Sequence, residues 1–136
     1  MAKLQYLVTL KLANNQILSI NHLNKENDDE SFVRWKNLAH LDLSGNKITE
    51  IPDLKIPQLR FLSLRSNEIK RIDKFEGHDT IEILDLSNNN IAETRTLINM
   101  PNLKEMFIQN NKLKVFPSLE GLSSLRKLHL RNNTVA

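Results

Sequence analysis

Apolar residues return along this chain at a spacing of three and then two, and an asparagine follows three positions later. The runs are Leu7, Leu10, Leu12, Asn15, Ile17; Leu38, Leu41, Leu43, Asn46, Ile48; Leu59, Leu62, Leu64, Asn67, Ile69; and Ile81, Leu84, Leu86, Asn89, Ile91. Leu103, Met106, Ile108, Asn111, Leu113 and Leu125, Leu128, Leu130, Asn133, Val135 complete the set. The alternation inside each run, as at Met106 and Ile108, predicts a short strand whose buried side chains share one face. At each asparagine the alternation stops and the chain turns. Counted from asparagine to asparagine, the steps are 31, 21, 22, 22 and 22 residues, so the chain consists of six copies of one unit.

A unit this short cannot bury its apolar face alone and must stack on its neighbours. The expectation is one domain over residues 1–136, with six parallel strands on a concave face and return legs on the convex side. The long first step comes from nine extra residues within 24–34, where Glu26, Asp28, Asp29 and Glu30 predict a solvated loop. Ser31 can cap a short turn carrying Phe32 and Val33, and Trp35 fills a leucine slot. Pro52 and Pro57 make the second return leg extended. The legs through Leu97, Met100 and Leu103, and through Leu119, Leu122 and Leu125, can form short helical turns. His78 stands in a slot that is apolar elsewhere and is expected to be partly buried and hydrogen-bonded. Neither end carries a recognisable cap, so the expectation is either that the chain is a piece of something longer or that neighbouring chains cover both ends.

The unit L-x-x-L-x-L-x-x-N-x-L resembles the leucine-rich repeat, in its short class with repeats near 22 residues. That resemblance implies an α/β horseshoe with short helical or extended convex legs. Secreted members usually carry cysteine-stapled caps, and this sequence has no cysteine, so an intracellular location is expected. The segment Met1–Val8 is too short and interrupted for a signal peptide, and no apolar run reaches membrane-spanning length. Asn132-Asn133-Thr134 matches a glycosylation acceptor and reads as a chance match within an asparagine-rich turn.

Asn15, Asn46, Asn67, Asn89, Asn111 and Asn133 are assigned a structural role, since an inward amide can bond the turns of neighbouring coils. Recognition then falls to the outward side chains between the leucines. One column of these reads Thr9, His40, Phe61, Ile83, Glu105, Lys127, the next Lys11, Asp42, Ser63, Asp85, Phe107, His129, and the third Ala13, Ser44, Arg65, Ser87, Gln109, Arg131. Phe61, Ile83 and Phe107 need not be apolar for folding and predict one contiguous patch. Around it stand Asp42, Arg65, Asp85, Glu105, Lys127 and Arg131, a mixed-charge rim of the kind protein interfaces have. His40 and His129 also face outward, and a bond between His40 and Asp42 is plausible. A basic flank of Lys47, Lys70, Arg71, Lys112 and Lys114 reads as solvated surface.

The net charge of +3, from 19 basic and 16 acidic residues, is too small a surplus to point to nucleic acid. Catalysis finds no footing. There is no glycine-rich phosphate loop, cysteine nucleophile or paired-histidine motif, and four strand spacings, about 19 Å, separate His40 from His129. No cofactor or metal is expected. The family resemblance implies a non-enzymatic interaction subunit of a larger assembly. The stretches Ile98-Asn99-Met100-Pro101-Asn102-Leu103, Leu119-Glu120-Gly121-Leu122 and Leu125–Arg131 are similar to the radial-spoke member of the axonemal branch. This implies a cytoplasmic, cytoskeletal place in the ciliary axoneme. Regulatory subunits of a protein phosphatase and a spliceosomal protein are the alternatives.

Overall fold

The structure, a computed structural model, describes residues 6–23, 35–95, 97 and 99–134. The insertion within 24–34, with its four carboxylates and Ser31, lies outside the described residues. Six three-residue strands form one sheet: β1 Thr9–Lys11, β2 His40–Asp42, β3 Phe61–Ser63, β4 Ile83–Asp85, β5 Glu105–Phe107 and β6 Lys127–His129. Each pairs in parallel with the next in sequence. The register holds equivalent residues opposite one another, so Leu10, Leu41, Leu62, Leu84, Met106 and Leu128 form one inward row. The four central members are no more than 1% exposed, while Leu10 and Leu128, on the outer strands, are half-buried.

The return legs carry no α-helix among the described residues, and Asn21–Leu23 forms a 3-10 turn. The legs expected to form helical turns instead make separate hydrogen-bonded reversals. The Leu97 N–H donates to the Thr94 carbonyl at 2.9 Å and that of Leu103 to Met100 at 3.2 Å; Leu122 and Leu125 do the same to Leu119 and Leu122. A leg of this length must cross the convex face and re-enter the sheet, which leaves room for single turns and not for a propagating helix. The second leg carries no helix through Pro52, but Pro57, expected in extended chain, lies in a turn closed by the Leu59 N–H on the Ile56 carbonyl at 3.2 Å, since proline's fixed φ also suits a turn.

A reversal of the same kind introduces β2, where the Leu38 N–H donates to Trp35 at 3.2 Å. Trp35 is 6% exposed and fills the leucine slot. His78, at the equivalent place before β4, replaces this turn with side-chain bonds. Its Nδ1 lies 3.2 Å from the Thr80 N–H and its Nε2 lies 3.0 Å from the Ile56 carbonyl of the preceding coil. The ring is half-buried, as expected of a polar substitute in an apolar slot.

Polar satisfaction of the turns comes from the asparagines. Asn89 is representative: its Nδ2 donates to Leu86 within its own coil and to Leu64 in the preceding coil, both at 3.0 Å, while Oδ1 accepts the Ile69 N–H at 3.0 Å. Asn46, Asn67, Asn111 and Asn133 repeat this three-way bond. Asn15 differs, because it is exposed and, among the described residues, reaches only the Leu12 and Ala13 carbonyls of its own coil.

Candidate functional site: the concave face

The strand registers place Phe61 beside His40 and Ile83 in one column, and Phe107 beside Asp85 and His129 in the next. Phe107 therefore lies diagonal to Ile83, two residues further along its strand. The apolar centre is a bent stripe, not a straight column, and its three side chains are half-buried. Each ring is already covered on one side. His40 stacks on Phe61 at a centroid distance of 4.2 Å and an interplanar angle of 13°, and His129 stacks on Phe107 at 4.3 Å and 3°.

Both histidines face outward as expected, but the stack gives His40 a different partner from the one expected. The His40–Asp42 bond does not form, because the ring lies flat on Phe61 and the carboxylate is held elsewhere. Asp42 Oδ1 accepts the Ser44 N–H at 3.0 Å and the Ser44 hydroxyl at 2.7 Å. Asp85 holds Ser87 in the same way, at 3.0 and 2.6 Å. The Asp-x-Ser spacing is the sequence signal for this local turn, since a short carboxylate reaches the backbone two residues on. Glu105 accepts from His129 Nε2 at 2.9 Å, so the rim at β5 and β6 is an internally bonded group. Arg65, Lys127 and Arg131 are exposed on the same face. The structure thus brings the aromatic, histidine and charged residues singled out in the sequence onto one surface, grouped about two histidine-covered rings, while Ser63 and Ser87 of the same columns are 6% and 1% exposed.

Two polar ladders flank that surface, neither evident as a ladder in the leucine pattern. Residues before the structural asparagines take a left-handed backbone: Asn14, Gly45, Ser66, Asn88, Asn110 and Asn132 have φ between 58° and 68°. This is a conformation that asparagine and glycine adopt more readily than other residues. Asn132 Nδ2 donates to Asn110 Oδ1 at 2.7 Å, and Asn110 to Asn88 at 2.6 Å, in an exposed outer ladder. The doublets Asn88-Asn89, Asn110-Asn111 and Asn132-Asn133 were its signal. At the other end of the strands Glu82 accepts from Arg60 and Lys104, both at 2.6 Å. Those two hydrogen bonds bring its pKa down to about 2.

The basic flank does not form a continuous patch. Equivalent positions alternate Lys47 with Glu68, and Arg71 lies between Glu50 and Glu93. Between Arg71 and Arg95 a cleft of about 390 Å³ is lined by both signs of charge, with Asp73 and Glu93 in its wall.

Three sequence models of one family match this chain: Leucine Rich repeats (2 copies) over residues 36–77, Leucine Rich Repeat over 80–100 and Leucine rich repeat over 92–135. Together they span 36–135 apart from residues 78 and 79. The chain belongs to the leucine-rich-repeat family. Toll-like receptor 2 of Mus musculus is 41% identical over 78 residues, 55% of this chain and 10% of that protein. Epiphycan of Homo sapiens is 35% identical over 75 residues, 53% of this chain and 22% of its own length. Tsukushi of Gallus gallus is 29% identical over 90 residues, 66% of this chain and 22% of its own. This leucine-rich-repeat chain therefore spans between a tenth and a quarter of these relatives. Leucine-rich-repeat chains serve generally in protein–protein interaction. Among the described residues no group of His, Cys, Asp or Glu could hold a metal ion, and no helix is long and apolar enough to cross a membrane.

Proposed function

We propose that this chain is a non-enzymatic interaction subunit that grips a segment of another protein across its concave face. The observation that carries the reading is the stripe of Phe61, Ile83 and Phe107, three apolar side chains on the outward face where folding asks for none. Stacking by His40 and His129 holds the two rings upright before any partner arrives, which lowers the ordering cost of binding. Further burial of each ring contributes about 1.5–3 kcal/mol at most, since part of each ring is already covered.

The test is a comparison of proteins retained from ciliated-cell extract by the wild-type chain and by the Phe61→Ser/Phe107→Ser double variant. Loss of specific partners by the variant, with thermal stability kept close to wild type, is the expected result. An identical retained set would overturn the reading. The finer assignment, to an axonemal assembly such as the radial spoke, draws its support from the likeness of residues 98–103, 119–122 and 125–131 to that branch. Recovery of the native protein in detergent-extracted axonemes is expected; recovery in nuclear or secreted material would overturn that assignment.

A further inference from the structure

The two ends of the apolar stripe differ in charge. Asp42 and Asp85 stand on the strands to either side of β3, where Phe61 lies, whereas the Phe107 end meets β6, which is basic. Residues 121–136 include Arg126, Lys127 and Arg131 and no aspartate or glutamate. Lys127 precedes His129 by two residues and Arg131 follows it by two, so the period of a strand turns all three to the concave side. The ladder continues past the strand ends, where the Asn110 N–H donates to the Arg131 carbonyl at 2.9 Å and keeps Arg131 beside Gln109 of the preceding coil. Lys127 and Arg131 are separated by about 13 Å of extended chain and bracket the Phe107–His129 stack.

Charges on this face are unequally committed. The three carboxylates of the outward columns each accept an internal bond: Asp42 from Ser44, Asp85 from Ser87, and Glu105 from His129 Nε2. The Lys127 and Arg131 side chains are exposed and make neither an ion pair nor a hydrogen bond among the described residues. Cations elsewhere behave differently, since Arg60 and Lys104 share Glu82, Lys74 meets Glu50, and Arg95 meets Glu93. A further group near the stack also lacks a partner. Gln109 Oε1, two residues past Phe107, is covered by protein and accepts no bond among the described residues. A covered acceptor without a donor is unfavourable, and turning the amide outward offers that oxygen to an N–H of a bound segment. An aromatic stack, two uncommitted cations bracketing it and an unbonded acceptor are together complementary to an apolar side chain with a carboxylate on either side.

We propose that the β5–β6 end of the concave face receives an acidic segment of the partner protein, with an apolar side chain on Phe107 and carboxylates on Lys127 and Arg131. The proposal rests on the concave-face reading above and specifies the partner's chemistry. In an extended segment, side chains two and four residues apart face the same way, so acidic residues four apart with an apolar residue midway span the same 13 Å or so as the two cations.

Selection of a random-peptide display library on the immobilised wild-type chain tests it, with the selected peptides then measured on Lys127→Gln/Arg131→Gln and on Phe61→Ser/Phe107→Ser. Both cations are exposed, so the Gln variant is expected to keep the wild-type melting temperature. The expected result is enrichment of Asp or Glu around an apolar residue, and about tenfold weaker binding to the Gln variant. Replacing the peptide's carboxylates by amides should abolish that difference between the two proteins. Peptides that need Phe61 and Phe107 but bind the Gln variant unchanged, or that share a basic consensus, would overturn the acidic partner and leave concave binding standing. Peptides indifferent to both variants, or a library that yields no binder, would overturn both readings. Poly(U) RNA is the control for phosphate: RNA binding lost in the Gln variant, with no acidic peptide enriched, would make a phosphate backbone the ligand and overturn the proposal.

Discussion

At the scale of single residues, His78 shows how an ionisable side chain can occupy an apolar slot. Nδ1 accepts the Thr80 N–H, so the proton of the neutral ring sits on Nε2 and is donated to the Ile56 carbonyl. Burial, opposed by the Ile56 bond and by the charges of Asp79 and Asp53, lowers the ring's pKa below its ordinary 6.5. The folded state thus favours the neutral ring, and the unfolded chain takes up a proton first as pH falls. This contribution is fully present above about pH 6.5 and is lost as the medium is acidified toward the depressed folded value, by at most about 1.4 kcal/mol per pH unit. Urea unfolding at pH 7.5 and 5.0 is expected to show that loss. His78→Met, which installs the residue found at the equivalent Met100, should flatten it.

At the scale of the coil, the asparagine is what makes one turn depend on the turn before it. Asn89 is 7% exposed and bonds carbonyls in two coils, whereas Asn15 is exposed and, among the described residues, bonds only its own. The same substitution at the two places should therefore have different consequences. Asn89→Ala strands two buried carbonyls and the Ile69 N–H and is expected to cost about 1–3 kcal/mol or more, while Asn15→Ala should stay near 0.5 kcal/mol. Chemical denaturation of the two variants checks this; equal losses would show that the amide's reach into the neighbouring coil carries no weight. The return legs illustrate the opposite case. Leucines at a spacing of three are compatible with helix, yet each leg closes into isolated reversals, because the leg must span the convex face between consecutive strands.

For the whole molecule, stability is distributed along one axis, coil against coil. Leu84 on β4 is 1% exposed between two neighbouring strands, while its equivalent Leu10 on β1 is half-buried. Leu84→Ala is expected to cost about 2–5 kcal/mol, and Leu10→Ala clearly less, as read from thermal unfolding. Exposure also rises along the fifth return leg. Phe116 is 55% and Leu119 47% exposed, although the equivalent Ile72 and Phe75 are 4% and 1% exposed. The apolar pattern announces all of these as core positions. How deeply each is buried depends on what lies on both sides of its coil.

The periodic leucines and asparagines by themselves determined the number of strands, their parallel order and register, the inward row and the amide ladder, because each follows from repetition of one short unit. The same periodicity put Phe61, Ile83, Phe107 and the rim charges on one face. Only the tertiary structure decided which outward side chains meet. Cross-strand neighbours come from different coils, roughly 22 residues apart, and their contacts depend on rotamers that no single unit specifies. That is why the histidine stacks, the bond from His129 to Glu105 and the loss of the His40–Asp42 pairing appear only once the coils are stacked.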